Sequence, residues 1–190
     1  AADTALAGAD AVLAGERAAF SLCRPPGHHA GRDFFGGYCY LNNAAIAAQH
    51  FRDNGHARVA IFDVDYHHGN GTQEIFYDRN DVLLASLHGD PDFEFPFHLG
   101  YACERGAGKG EGHNLNYPLP AGTPWSQWQA AFEDAHEKIR AYAPTALVIS
   151  LGVDTFKDDP ISQFKLESEH FLTIGRRIAD FGLPTLFVME

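Results

Sequence analysis

The densest group of chemically active side chains lies between residues 63 and 71. It reads Asp63-Val-Asp65-Tyr-His67-His68 and continues into a Gly-Asn-Gly turn. Because Asp65 and His67 are two residues apart, an extended backbone places their side chains on one face. A carboxylate and an imidazole on one face provide half of a site for zinc or another divalent metal. The alternative is that the two aspartates only cap the turn, but the adjoining histidines and glycines favour the metal.

A third candidate ligand, Asp154, follows a different apolar segment, residues 146–151. An aspartate after a strand often only forms a turn. In an open α/β sheet, however, ligands bind beyond the carboxyl ends of the strands, so we expect Asp154 to join Asp65 and His67. Three protein ligands leave one coordination position open, which is typical of catalytic zinc, whereas structural zinc sites are closed.

A pair of adjacent histidines, His28 and His29, follows the rigid turn Arg24-Pro-Pro-Gly27. Adjacent histidines on a loop are usually only polar surface. Beside an open metal site they would supply the acid and base that a hydrolytic reaction needs, because imidazole exchanges protons near neutral pH.

The elements that must position these side chains alternate between strand and helix. Such alternation predicts an α/β doubly wound, mainly parallel sheet flanked by helices. Apolar runs without alternation predict strands at 57–63, 82–87, 146–151 and 185–188, with a fifth at 18–22. Helices are predicted at 1–14, 42–51, 123–142 and 168–181, the third with Thr123 as N-cap and Pro124 as first helical residue. Residues 89–122 are predicted to be irregular, and their glycines follow no phosphate-binding pattern.

Composition excludes several classes of function. The formal charge of −11 argues against binding nucleic acid through phosphates and weakly suits a cationic substrate. Scattered Cys23, Cys39 and Cys103 predict reduced thiols and a cytoplasmic location. No membrane span or signal peptide is predicted. The helical start and the strand-like end of the sequence lead us to expect a truncated single catalytic domain over 1–190.

Four motifs, in order along the chain, resemble the histone deacetylase superfamily, which has an arginase-like fold. Later segments, among them Leu99-Gly-Tyr-Ala102 and the run from Leu151 to Ser162, look most like bacterial acetylpolyamine amidohydrolases. The four motifs are Arg24-Pro-Pro-Gly-His-His-Ala30, Gly36-Gly-Tyr-Cys-Tyr-Leu-Asn-Asn43, Asp63-Val-Asp-Tyr-His-His-Gly-Asn-Gly-Thr72 and Ser86-Leu-His88.

The resemblance implies a zinc-dependent hydrolase that removes acetyl groups from polyamines or lysine. Asp65, His67 and Asp154 would bind Zn²⁺. His29 would be the general base and then acid, with His28 as its electrostatic partner. In the second shell, Asp63 would orient His28, and Asn70 stands behind His29 where some relatives carry an aspartate.

The resemblance also implies a substrate channel and two structural sites for K⁺ or Na⁺. Gly37, Tyr38 and Phe95 would line the channel. The first cation site would use Asp63, Asp65, His67, Ser86 and Leu87. The second would use Phe76, Arg79, Val82 and His113.

Two segments that the family uses are not found in this sequence. The family's transition-state tyrosine stands in a Gly-Gly-Tyr motif after a strand that ends in glutamate, whereas this sequence ends at Glu190. An upstream region that supplies acidic residues and part of a dimer contact is also not found. Metal binding is therefore expected, while loss of an oxyanion donor would cost 10²- to 10³-fold in rate.

Four alternatives stay open at this stage. The same chemistry could act on acetyl-lysine in proteins. The chain could be a catalytically inactive zinc-binding scaffold. An arginase-like pair of manganese ions would need more carboxylates, and the ligand set also tolerates Fe²⁺ or Co²⁺.

Overall fold

The computed structural model describes residues 1–190 and shows a six-stranded sheet flanked by five α-helices. The strand order is β1-β6-β5-β2-β3-β4, and every neighbouring pair is parallel. In chain order the elements are α1 Ala2–Leu13, β1 Ala18–Ser21, α2 Asn43–Asp53, β2 Val59–Asp63, α3 Asn70–Phe76, β3 Val82–Gly89, a 3₁₀ turn Gly108–Gly110, β4 Asn114–Leu119, α4 Trp125–Tyr142, β5 Ala146–Leu151, α5 Ser168–Ala179 and β6 Thr185–Met189. None of these helices has the length and apolarity needed to cross a membrane.

The central strands are covered on both faces, which explains their continuous apolar sequences. Every residue of β2 and β3 is buried. Val59 and Ile61 pack on one face against α1 and α2, whereas Ala60 and Phe62 pack on the other against α4 and α5. The prediction of a parallel α/β sheet is confirmed.

Two elements were not predicted. Strand β4 lies inside the segment expected to be irregular, where the polar side chains of Asn114 and Asn116 disguise it. Both amides donate to Gln73 Oε1, at 2.9 and 2.8 Å, so hydrogen bonds help to hold this edge strand on one face, while Leu115, Tyr117 and Leu119 pack against the core. Helix α3 is short and begins inside the glycine turn, where its first N–H groups reach the His28 carbonyl oxygen.

The predicted cap of α4 is wrong. Its N-cap is Pro124, the helix begins at Trp125, and the Thr123 hydroxyl donates to the Pro120 carbonyl oxygen instead. Helix α5 has a capping box in which Glu167 and His170 exchange side-chain and backbone hydrogen bonds.

Candidate metal centre

The three predicted metal ligands converge at the carboxyl edge of the sheet. Asp65 and His67 follow β2, Asp154 follows β5, and these strands are neighbours. One donor atom from each lies within 4.8 Å of the others. His67 Nδ1 stands 3.0 Å from Asp154 Oδ2 and 3.3 Å from Asp65 Oδ1. Bonds of about 2.0–2.1 Å to tetrahedral zinc place ligand atoms roughly 3.3 Å apart, so the donor set fits this ion.

The electrostatics of this cluster favour a cation. No lysine or arginine bonds either aspartate, although Asp65 is buried and Asp154 is largely so. Burial and then the charge of Asp65 raise the pKa of Asp154 to about 6. Burial opposes protonation of His67, but bonds to both carboxylates outweigh it and raise its pKa to about 9. A bound metal ion would replace these protons as the compensating charge.

Gly152 is required by the close approach of the two ligand segments. A Cβ atom at this position would lie 2.0 Å from Asp65 Oδ2. Any side chain there would displace the carboxylate of the candidate ligand Asp65.

The paired histidines lie beside the ligands and differ in their partners. Their ring centroids are 4.1 Å apart. His28 Nδ1 meets the buried Asp63 carboxylate at 3.0 Å, whereas His29 Nδ1 meets the Asn70 amide oxygen at 2.8 Å. Because that oxygen can only accept, His29 carries its proton on Nδ1, and Nε2 is its basic nitrogen.

The partners separate the titration of the two rings. Burial opposes protonation of His28, but the charges of Asp63 and Asp65 raise its pKa well above the ordinary value. Burial and then the positive charge of His28 lower the pKa of His29 to about 3, against the weaker effect of the Asn70 hydrogen bond. The arrangement therefore holds one charged and one neutral imidazole side by side.

Three side chains that sequence reasoning did not assign hold the histidine loop in place. Glu190 Oε2 accepts from the N–H groups of Gly27, at 2.6 Å, and His28, at 3.0 Å. Asn43 donates to the Pro25 carbonyl oxygen and Asn42 to that of Ala30. Glu190 directly follows a strand, so the strand-end rule that located Asp154 could have located it too.

A cavity of about 610 Å³ opens above the ligands. All three predicted channel residues, Gly37, Tyr38 and Phe95, line it. The Phe95 ring meets His29 edge to face at 4.7 Å, and a Cβ atom on Gly37 would lie 2.1 Å from the His29 ring. Further lining residues that were not predicted are Pro26, Gly152, Val153, Asp159, Ile161 and Glu190.

The residues expected to bind monovalent cations fall into two places. Asp63 and Ser86 are register partners on β2 and β3, next to Leu87 and under the metal ligands. The second set, Phe76, Arg79, Val82 and His113, lies by the amino ends of β3 and β4, away from the cavity. His88 is not in the site, because it is buried within β3 and bonds Ser86 and the Gly100 carbonyl oxygen.

Comparison with known proteins gives the family and the fold of the chain. Residues 1–190 match the histone deacetylase domain. The chain belongs to the histone deacetylase family. Acetylpolyamine amidohydrolase 1 of Pseudomonas aeruginosa is 65% identical over 189 residues, covering 100% of this chain and 55% of that protein. The Mycoplana ramosa acetylpolyamine amidohydrolase is 59% identical over 187 residues, covering 98% and 55%.

The fold of this histone deacetylase family member is similar to that in a crystal structure of acetylpolyamine aminohydrolase from Burkholderia pseudomallei. It superposes with a TM-score of 0.97 at 52% identity and covers 100% of this chain and 55% of the other. The chain thus spans about half the length of the relatives that it matches.

Proposed function

We propose that this chain forms the catalytic domain of a zinc-dependent amidohydrolase that removes acetyl groups from small amines such as acetylated polyamines. One observation carries the proposal. A three-residue donor set of Asp65, His67 and Asp154 lies at the floor of a cavity, next to a neutral imidazole. Names of relatives at 52–65% identity agree with the reaction class.

Asp65, His67 and Asp154 would hold the zinc ion through two carboxylate oxygens and His67 Nδ1. When bound there, zinc polarises a carbonyl and makes water more acidic. His29 Nε2 is placed to accept a proton from water and later to donate it to the leaving amine, since Nδ1 is occupied by Asn70. His28, charged against Asp63, contributes positive charge beside the reacting oxygen.

The cavity favours an alkyl amine as the leaving group. Phe95 and Tyr38 supply aromatic walls, which bind alkyl ammonium groups. Asp159 and Glu190 add carboxyl groups to the lining, and the chain has a net charge of −11. Acetyl-lysine on a protein remains the second candidate, because its side chain has the same alkyl amide.

The monovalent cation belongs to the same proposal. Asp63, Ser86 and Leu87 offer oxygen atoms beneath the zinc ligands, and oxygen donors suit K⁺ or Na⁺. Such an ion would fix the β2 and β3 ends that carry the site.

Zinc binding tests the proposal directly. Competition against a chromogenic chelator should give tight binding of one zinc per chain. Asp154→Asn should weaken zinc binding at least a hundredfold, since removal of even an outer-shell partner costs 10- to 100-fold. The matched control is Asp158→Asn, which removes an exposed carboxylate four residues away and should change nothing.

Substrate profiling then separates the candidates. The full-length, zinc-loaded protein should hydrolyse acetylputrescine faster than an acetyl-lysine peptide. Preference for the peptide would make acetyl-lysine in proteins the substrate class. Tight zinc binding without hydrolysis of either substrate would favour the inactive scaffold.

A further inference from the structure

The side chain of Glu94 lies at a junction outside the metal ligands and the histidine pair. Its Oε1 atom accepts hydrogen bonds from the Tyr66 hydroxyl at 2.7 Å and from the Gln163 amide at 2.6 Å. Glu94 itself is only partly exposed, whereas Tyr66 is completely buried.

Tyr66 connects this junction to the metal centre. It stands between the ligands Asp65 and His67 in the chain, and its backbone N–H donates to Asp154 Oδ1 at 2.9 Å. Its ring packs edge to face on Phe164 at 4.6 Å. One end of the residue therefore touches a metal ligand, and the other end holds Glu94.

The remaining two partners belong to the walls of the cavity. Glu94 directly precedes Phe95, which covers His29. Gln163 lies two residues after Ile161, which also lines the cavity. A single carboxylate oxygen thus ties two wall segments to the segment after β2 that carries two of the proposed metal ligands.

The Phe95 segment needs such an attachment, because its backbone is strained. Phe97 and His98 both have left-handed backbones, with φ of +56° and +60°. This conformation costs roughly 1–2 kcal/mol for a residue with a side chain. Strained segments persist only where surrounding contacts determine them.

We propose that Glu94 is a positioning residue that sets the separation of the cavity walls, and thereby which acyl and amine groups fit. It acts through Phe95 and Ile161 and does not touch substrate. The inference rests on the proposed function only for the identity of what enters the cavity.

Two hydroxamates of different width test this positioning on the zinc-loaded protein. Hexanohydroxamate is narrow, whereas benzohydroxamate carries a ring next to its chelating group. Glu94→Ala should weaken the binding of hexanohydroxamate about tenfold, whereas benzohydroxamate should bind equally well or more tightly. Glu94→Gln keeps the accepting oxygen and should stay within twofold of the unmodified protein. The hydroxamate ratio is the Kd for hexanohydroxamate divided by the Kd for benzohydroxamate. Tyr66→Phe should raise this ratio, as Glu94→Ala does.

The chain offers a matched control on the same loop. Tyr101 donates to Asp92 at 2.7 Å, on the exposed surface. Tyr101→Phe also removes a tyrosine–carboxylate bond, but it should leave the hydroxamate ratio unchanged. Zinc affinity should stay within twofold in every variant, because no ligand is altered.

Hydrogen exchange separates this inference from the proposed function, since it needs neither zinc nor turnover. The Phe97 amide donates to the Glu94 carbonyl oxygen at 2.9 Å and should exchange at least tenfold faster in Glu94→Ala and Tyr66→Phe. Unchanged exchange and an unchanged hydroxamate ratio would overturn the positioning role, as would an equal effect of Tyr101→Phe. Failure of the unmodified protein to bind zinc, with faster exchange in the variants, would overturn the proposed function alone.

Discussion

His28 and His29 are adjacent in sequence and have the same side chain, yet the fold makes them chemically different. Their hydrogen-bond partners contribute to the difference: a carboxylate oxygen of Asp63 stands behind one ring and an amide oxygen of Asn70 behind the other. A carboxylate stabilises the imidazolium, whereas a neutral amide does so much less. The partners behind the rings, together with burial and the charge of His28 beside His29, therefore divide the pair into a charged and a basic ring.

Asn70→Asp tests this division. A carboxylate 2.8 Å from His29 Nδ1 would favour the charged ring and should raise the pKa of His29 from about 3 by 1–3 units. NMR titration of the imidazole resonances in the metal-free protein measures the change. Asn80→Asp, an exposed change in the same sense, should leave His29 unaffected. An unchanged His29 pKa in Asn70→Asp would contradict the claim that the group behind the ring influences its protonation.

The sequence predicts the candidate metal ligands more readily than the groups that support them. Asp65 and His67 follow from their spacing on a strand end, and Asp154 follows from the edge rule for parallel sheets. The roles of Tyr66 and Asn43 could not be predicted in this way. The side chain of each donates a hydrogen bond to a residue at least 18 positions away, and no local sequence pattern records such contacts.

At the scale of elements, the end of β6 supports the histidine loop. Glu190 accepts from two buried N–H groups of that loop, and Ser150 of β5 donates to its other oxygen at 2.8 Å. Glu190→Ala would leave both N–H groups without a partner, at about 1–3 kcal/mol each. We expect the free energy of unfolding in urea to fall by about 2 kcal/mol or more, with a smaller loss in Glu190→Gln, which keeps an acceptor.

The titration of Glu190 adds a pH dependence. Burial raises its folded pKa to about 7, above an unfolded value near 4.3. The folded state then binds more protons between these values, so stability falls as the pH rises from about 4 to about 7. Glu190→Gln lacks this titration. Urea unfolding at pH 5 and pH 8 should show that the unmodified protein loses more stability with rising pH than Glu190→Gln does. An equal loss in the two proteins would contradict the raised pKa of Glu190.

The end of α4 offers a clean test of backbone strain. Ala143 caps this helix in the left-handed region, with φ of +53°, where glycine has no steric cost. Ala143→Gly should therefore stabilise the protein by about 0.5–1 kcal/mol. The same substitution at Ala130, exposed in the middle of α4, should destabilise it by about 1 kcal/mol. Thermal unfolding measures the stability change in both variants. Destabilisation by Ala143→Gly would rule out backbone strain at this helix end.

Strands could be predicted from the sequence where burial on both faces makes them continuously apolar. Strands β2, β3 and β5 are buried almost throughout, and their apolar runs reveal them. Strand β4 was not predicted because it contains Asn114 and Asn116, which have low strand propensity. Their amides donate to Gln73 Oε1 and to neighbouring loop carbonyl oxygens.

On the scale of the whole molecule, the proposed metal binding would be linked to folding. The sheet brings Asp65 and Asp154 together with no basic side chain other than histidine, within a chain of net charge −11. A metal ion that binds only the folded state stabilises it by RT ln(1 + [L]/Kd), about 4 kcal/mol at a thousandfold excess over Kd. Stability should therefore report on the site as a whole.

Zinc should raise the unfolding temperature by roughly 8–16 °C under these conditions, because 1 kcal/mol corresponds to about 2–4 °C for a chain of this size. Magnesium should raise it far less, since it demands octahedral oxygen coordination, and a chelator should reverse the zinc effect. Asp154→Asn should lose most of the zinc shift, whereas Asp158→Asn should retain it. An equal shift in both variants, measured by calorimetry, would mean that zinc binds elsewhere. A shift confined to proteins with Asp154 intact would show that two strand ends, 88 residues apart in sequence, close on one ion.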